Sequence, residues 1–357
     1  MPIDFAPERW ERIRENARLW WAGKLGRPLI QLTVAGRDPG RPEPALPPAR
    51  RTAHYDFSVP AEEVVDRWDY DLSCADYIGD AFPSRFVDFG PGVIAAFLGA
   101  RTELGEATVW FHAPEERPIA EIHLEHDQSE VWLNRVRGIT QAAAGRWQGQ
   151  VQVGMTDLGG NLDVVSTFRP SHRLLLDLYD APDEVKRVTW EAHRMWWRYF
   201  SEINAILRPS NPGYTCWTPL YSEAPYYMLQ CDFCYMISPA MFDEFVKPEL
   251  VASCKRLGNA FYHLDGVGQL PHLDSLLSIP ELKGIQWIYG DGKPDYRHWT
   301  HIYRKVREAG KLIQLSGGPE VLEHVAKELG SAEGIALIGS VSASRRDEAE
   351  ALIAKYG

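Results

Sequence analysis

The feature that most constrains the fold is a regular alternation of short apolar segments with longer amphipathic segments, from residue 128 to the end of the chain. The apolar segments have the length of strands, and the longer ones repeat their apolar residues with the period of a helix. Strands that alternate with helices form βαβ units and a parallel sheet, which is buried on both faces. The predicted strands are 151–155, 214–218, 260–264, 285–289, 312–315 and 335–338, and the predicted helices are 128–147, 174–179, 182–206, 239–257, 269–277, 296–309, 319–329 and 345–356.

The first third of the chain adds helices and a small β insertion to this pattern. A length of 357 residues is normal for one α/β barrel with insertions. We therefore predict an α/β fold, a single (β/α)8 (TIM) barrel domain over residues 1–357, with an N-terminal helical extension. The alternative is an open doubly wound sheet, but no Gly-x-Gly-x-x-Gly turn follows the first predicted strand. The predicted N-terminal elements are a helix at 8–22, a strand at 28–34, a proline-rich loop at 37–51, helices at 61–68 and 93–100, and a strand and hairpin at 107–124.

Composition excludes several classes of partner. The net charge of −11 argues against nucleic acid, because phosphate binding needs a basic surface. No stretch approaches the roughly 18 apolar residues of a membrane helix, and the charged N-terminus lacks the apolar core of a signal peptide. The odd number of five cysteines suggests reduced thiols. We expect a cytoplasmic protein that binds a small molecule and neither nucleic acid nor a membrane.

Catalytic groups of a (β/α)8 barrel project from the C-terminal ends of its strands, so polar residues there are informative. His263 and Asp265 end one predicted strand and are two residues apart, so they point to the same side. The pair suits a tuned general acid–base or two metal ligands. The alternative is a structural histidine beside the next helix. The position favours function.

Asp157 ends another predicted strand, and two glycines between it and Asn161 would let backbone approach a ligand. The alternative is that Asp157 or Asn161 caps a helix, followed by a glycine turn. Cys231 and Cys234 form a Cys-x-x-Cys pair, but no second pair completes a zinc site. Asp232, between those cysteines, is the stronger candidate for chemistry.

Aromatic residues near strand ends provide candidate walls for a pocket. Trp287 and Tyr289 share one face of a predicted strand beside His263, and Asp291 follows in a glycine-containing loop. Trp217 lies near another predicted strand end. The complete set of candidate substrate-binding residues is Trp287, Tyr289, Asp291, Arg37, Tyr77, Asp80, Asn161 and Trp217.

At these clusters the chain resembles the uroporphyrinogen decarboxylase superfamily, which includes methyltransferases that serve corrinoid proteins. The resemblance is clearest over residues 150–340. Residues 237–245 read Ile-Ser-Pro-Ala-Met-Phe-Asp-Glu-Phe, like that family's Ser-Pro-x-x-Phe-x-x-Phe helix, and 174–185 resemble another of its helices. Residues 263–266 read His-Leu-Asp-Gly where the family has His-x-Cys-Gly. The resemblance implies a (β/α)8 barrel.

Two departures from the family limit what the resemblance implies. Asp265 stands where the methyltransferases have a zinc-binding cysteine, and residues 339–342 offer no second cysteine. A thiolate zinc site is therefore not supported, which leaves the cofactor unknown, with a corrinoid partner protein or a divalent metal as candidates. The decarboxylases bind substrate carboxylates with an Arg-Gln-Ala-Gly-Arg-Tyr segment, of which residues 32–37 keep one arginine. A tetra-acid porphyrinogen needs more cationic partners than this.

The leading hypothesis is a divergent enzyme of this superfamily that transfers a methyl group, with Asp157, Asp232, His263 and Asp265 as catalytic groups. One alternative is a decarboxylase or lyase of the uroporphyrinogen decarboxylase type. Another is a glycoside-processing barrel, because paired carboxylates and tryptophans suit sugars. A third is a binding protein that has lost catalysis.

Overall fold

The computed structural model describes residues 3–357 and contains a central, mostly parallel sheet of seven strands. In chain order the strands are β1 (Leu29–Ala35), β2 (Ala75–Gly79), β3 (Ser84–Phe86), β4 (Arg101–Leu104), β5 (Val109–His112), β6 (Gln152–Gly154), β7 (Tyr226–Leu229), β8 (Asn259–Asp265), β9 (Leu282–Ile288), β10 (Leu312–Ser316) and β11 (Ile335–Val341). The order in the central sheet is β2-β1-β11-β10-β9-β8-β7. All its neighbouring strands are parallel except β2, which pairs antiparallel with β1 at the edge.

Two further strands, β3 and β6, pair in parallel as a separate ladder. The described residues therefore hold eight strands with parallel partners, six in the central sheet and two in this small one. Strands β4 and β5 form the antiparallel hairpin of the predicted insertion, although at 101–112 rather than within 107–124. These ladders confirm an α/β fold with a mostly parallel sheet. Closure of the sheet into a barrel stays a prediction.

Helices alternate with the strands as predicted, and several begin or end at recognisable signals. The side chain of Glu130 accepts the amides of Trp132 and Leu133 at the start of α4, and Ser238 caps α8 just before Pro239. The helices are α1 (Arg9–Trp21), α2 (Ala61–Ser73), α3 (Ile94–Phe97), α4 (Val131–Trp147), α5 (Asn161–Phe168), α6 (Ser171–Asp180), α7 (Pro182–Leu207), α8 (Pro239–Phe245), α9 (Lys247–Arg256), α10 (Leu273–Leu277), α11 (Thr300–Glu308), α12 (Pro319–Leu329) and α13 (Arg346–Tyr356).

The strand predicted at 214–218 is wrong. This segment contains only an isolated bridge between Tyr214 and Ser222, and the strand that pairs with β8 is β7, eight residues beyond Thr218. The Thr218 hydroxyl donates to Oε1 of buried Gln314 at 3.0 Å, and the amide of Leu220 donates to the Thr218 carbonyl. These bonds turn the chain before it can continue as a strand.

Three further elements were not predicted from the sequence: β2, β3 and α5. Their segments are short or contain glycine and proline, so their periodicity is weak. Between residues 3 and 357 no helix is both long and apolar enough to span a bilayer.

Candidate functional site

His263 lies in β8 and Asp265 is the last residue of that strand, so both approach its C-terminal end. Nε2 of His263 is 3.8 Å from Oδ2 of Asp265, and their side chains are 18% and 42% exposed. Burial lowers the pKa of His263, while its hydrogen bond to Gln286 and the charge of Asp265 act in the opposite direction. The imidazole is therefore neutral near pH 7.

Gln286, on the neighbouring strand β9, determines which ring nitrogen of His263 carries the proton. Oε1 of Gln286 is 2.5 Å from Nδ1 of His263, and an amide oxygen can only accept, so Nδ1 donates. The lone pair then lies on Nε2, the nitrogen nearer Asp265. This arrangement makes His263 a proton acceptor directed to the strand ends.

Asp232 follows β7 and is held in place through its backbone. The amides of Asp232 and Phe233 donate to the carboxylate of Asp163, in α5, at 3.0 and 2.7 Å. The Asp232 side chain is exposed to solvent at its surface yet has protein on most sides. This desolvation, with the charges of Asp163, Asp265 and Asp157, raises the pKa of Asp232 to about 8.

Asp157 follows β6 and is half-buried. Its Oδ1 accepts the amide of Gly159 at 3.0 Å and is 3.5 Å from the hydroxyl of Tyr227. Desolvation raises the pKa of Asp157 to about 7 against the opposing hydrogen bond from Gly159. Asp157 does not cap α5, whose N-cap is Gly160 and has no side-chain bond.

Gly159 and Gly160, which follow Asp157, allow other backbone segments to pack closely against them. A Cβ at Gly159, where φ is +72°, would lie 2.5 Å from Cα of Gly92, and one at Gly160 would lie 2.3 Å from the Gln230 carbonyl oxygen. The sequence hypothesis that these glycines admit a ligand has no support from this geometry.

A cavity of about 290 Å³ lies at the C-terminal ends of β8, β9 and β10, and it is lined by three of the predicted substrate-binding residues, Trp287, Tyr289 and Asp291. Asp265 lines the same cavity, as do Tyr296 and Tyr303. The indole Nε1 of Trp287 is buried and has no acceptor among residues 3–357. The cavity is thus lined both by aromatic rings and by Asp265, the acidic member of the His263–Asp265 pair.

Trp217 also reaches this region. Its ring lies edge-on to the imidazole of His263, with 5.1 Å between centroids, and it lines a second cavity of about 230 Å³. Each cavity is therefore lined by one neighbour of His263, the first by Asp265 and the second by Trp217.

The other predicted binding residues have structural partners instead. Asp80 forms an ion pair with Arg27 and accepts the amide of Ile30 near the N-terminal end of β1. These three residues line a different cavity. Asn161 is buried and donates to Glu249 at 2.6 Å. Arg37 donates to the Ser73 carbonyl and is 3.5 Å from Asp76. Tyr77 donates to the Leu72 carbonyl, yet it also lines a cavity of about 300 Å³ beside the C-terminal half of β1.

The cysteines do not resemble a metal site. All five are free, and burial raises the pKa of Cys231 well above its usual range. Burial likewise raises the pKa of Cys216 and of Cys254 to about 12. Across the described chain, no group of three or more histidine, cysteine or acidic side chains is arranged to hold a metal ion. The donor set thus does not fit a thiolate zinc site.

Sequence reasoning missed Asp163, Gln286 and Asp88, the last of which has a charge that acts on the pKa of Asp157. Gln286 stands beside Trp287 in a predicted strand, and an amide inside an apolar strand was an available signal. Asp88 follows β3, a strand that was not predicted, so its place at a strand end could not be inferred. Asp163 accepts a backbone amide from a loop 69 residues later in the chain, and no local sequence pattern indicates such a contact.

No protein-family model matches the sequence, and no curated protein matches it either. Among solved structures, a methyltransferase from Methanosarcina mazei is similar, with a TM-score of 0.60. The superposition covers 96% of this chain and 97% of that chain, at 14% sequence identity. At this identity the likeness shows the fold alone.

Proposed function

We propose that this chain is a divergent member of the uroporphyrinogen decarboxylase superfamily, with a closed (β/α)8 barrel, that transfers a methyl group from a small molecule. The observation that carries the proposal is a group of carboxyls that follow or end different strands, in which the charges of Asp157 and Asp265 act on Asp232. Burial raises the pKa of Asp157 to about 7, and burial with these charges raises the pKa of Asp232 to about 8. The full-length likeness to a methyltransferase and the residues quoted for the family support the choice of reaction.

Asp232 supplies the proton in this reaction. A methyl group bound to oxygen or nitrogen is transferred readily only when the heteroatom, which is the leaving group, is protonated. Because Asp232 is largely protonated at pH 7, it donates to the heteroatom as the carbon–heteroatom bond breaks and the bonding electrons move to that atom. An external nucleophile takes the methyl group. A reduced corrinoid on a partner protein is the acceptor that the family resemblance suggests.

His263 and the aromatic walls orient the methyl donor. Nε2 of His263 accepts a hydrogen bond from the donor, and Trp287 and Tyr289 exclude water from one side. The negative charge of Asp265 raises the pKa of His263 and so partly offsets the effect of burial. No step is assigned to a metal, because the cysteines and the nearby acids do not form a ligand set.

The experiment measures methylcobalamin formation from free reduced cobalamin with a panel of methoxy and methylamino compounds, by absorbance. We expect turnover that falls about tenfold per pH unit above pH 8 as Asp232 ionises. Asp232→Asn should lower the rate at least 100-fold. Asp180→Asn, an exposed change at the end of α6, is the matched control and should leave it unchanged.

Two results would contradict the proposal: no methyl transfer from any donor in the panel, or full activity in Asp232→Asn. Release of carbon dioxide from carboxylic acids in the same panel would favour the decarboxylase alternative.

A further inference from the structure

The 230 Å³ cavity beside Trp217 is lined by three arginines, Arg50, Arg51 and Arg85. Asp88 is the one acidic residue in that lining. A cavity with this charge is unusual in a chain whose net charge is −11. Three guanidinium groups around one small space create a local positive potential, which attracts anions.

Of the three arginines, Arg51 alone forms an ion pair with Asp88. Nη1 of Arg51 donates to both carboxylate oxygens of Asp88, at 2.8 and 3.0 Å, and Nε donates to the Ala107 carbonyl. Within residues 3–357, the side chains of Arg50 and Arg85 have neither a hydrogen bond nor an ion pair with a carboxylate. Two guanidinium groups of the lining therefore lack a directly bonded acidic partner, although the charges of Asp71 and Asp88 act on Arg85 from a distance.

Arg85 is the more informative of these two, because it is half-buried and lies on a strand, β3. Its guanidinium carbon lies 5.3 Å from the ring centre of Trp68, which fixes its position from one side. Burial lowers the pKa of Arg85, against the charges of Asp71 and Asp88. A desolvated cation without a hydrogen-bonded partner costs stability, and such groups in native proteins cluster at functional sites.

The cavity lies near His263 of the candidate site. Trp217 lines it and contacts the ring of His263. The charges of Asp88 and Arg51 also influence the pKa of Asp157. The cationic cavity is therefore linked to the candidate site through the contact of Trp217 with His263 and through the charges that act on Asp157.

We propose that Arg50 and Arg85 bind an anionic group, a carboxylate or a phosphate, in this cavity. The planar guanidinium recognises both groups through paired hydrogen bonds. That the anionic group belongs to the methyl donor rests on the proposed function, whereas anion binding itself does not. These arginines lie outside residues 32–37, where the family resemblance locates carboxylate binding.

The test measures the melting temperature of the whole protein at pH 7 as sodium acetate or sodium phosphate is added, with sodium chloride at equal ionic strength as the reference. We expect a saturable rise with at least one of the two anions. A response to acetate alone identifies a carboxylate site, and a response to phosphate alone identifies a phosphate site. Arg85→Gln and Arg50→Gln should each weaken the response at least tenfold, whereas exposed Arg194→Gln on α7 should not change it.

Without added anion, Arg85→Gln should melt at the same temperature as the wild type or higher, because it removes an unpartnered cation. The inference is wrong if neither anion gives a saturable rise, or if Arg85→Gln keeps wild-type affinity. Saturable anion binding in a protein without methyl transfer would refute the proposed function and leave the anion site standing. Methyl transfer in a protein that binds neither anion would refute the anion site and leave the proposed function standing.

Discussion

At the scale of single residues, burial decides the protonation states in this protein. Asp157 and Asp232 differ in exposure, yet both have less water around the carboxyl group than in an unfolded chain. The charged form loses most from this desolvation, so both pKa values rise toward neutrality. His263 responds to the same burial in the opposite direction, because its charged form is the protonated one. Neutral forms of all three groups are therefore favoured together.

The raised pKa of Asp157 predicts how stability depends on pH. Between about pH 4 and pH 7 the unfolded chain ionises this carboxyl while the native protein keeps the proton, so stability falls as pH rises through that window. Asp157→Asn removes the effect. We expect the variant to match the wild type at pH 4 and to be about 1–2 kcal/mol more stable at pH 8, by urea unfolding. Equal stability at both pH values would show that Asp157 is not desolvated.

At the scale of elements, the loop after β7 depends on a residue of α5. The carboxylate of Asp163 accepts two consecutive amides, those of Asp232 and Phe233, and so fixes the start of a 3-10 helix over Asp232–Met236. A short helix of this kind has weak intrinsic stability. The position of Asp232 at the candidate site is therefore set by a side chain of a distant helix.

Replacing Asp163 by alanine tests this dependence. The two amides lose a charged acceptor, and hydrogen bonds to charged groups contribute about 1.5–3 kcal/mol. We expect Asp163→Ala to lower the free energy of unfolding by that amount. Hydrogen exchange should become faster at residues 232–236 and stay unchanged in α12. Ser238→Ala, which removes only the cap of the neighbouring helix α8, is a control that should cost about 1 kcal/mol without this local change.

At the scale of the whole molecule, the two ends of the chain meet in the sheet. Strand β11 pairs in parallel with β1, from Leu29 with Ala336 to Val34 with Val341, and with β10 on its other side. Helix α1 is also connected to this region, because the indole of Trp20 donates to the carbonyl of Ile335. Contacts of such long sequence separation favour cooperative folding of the chain as one unit.

Truncation tests this cooperativity. A chain that ends at residue 334 lacks β11 and α13, which leaves β1 and β10 without their shared partner. We expect this variant to show no cooperative thermal transition by circular dichroism. A variant with the hairpin 101–112, which is mostly exposed apart from Val109, replaced by a Gly-Ser turn should keep one. A cooperative transition in the truncated chain would indicate an independent N-terminal domain.

The sequence alone was sufficient for features that depend on local periodicity. The strands β1, β8, β9, β10 and β11 and the long helices α4 and α7 have strong patterns, because each buries a continuous apolar face. From these followed the α/β class, the parallel sheet and the place of His263 and Asp265 at a strand end. The strand predicted at 214–218 failed, because a side-chain bond from Thr218 to Gln314, far away in sequence, turns the chain there.

The tertiary structure alone decided which groups act on one another. The bond of Gln286 to His263, the hold of Asp163 on the Asp232 loop and the gathering of Arg50, Arg51 and Arg85 all join residues that are distant in sequence or that lie in unpredicted elements. Desolvation is likewise a property of the folded surroundings, so the raised pKa values of Asp157 and Asp232 have no local signature. Periodicity records which face of an element is buried, whereas proximity and dielectric environment arise only when the elements pack.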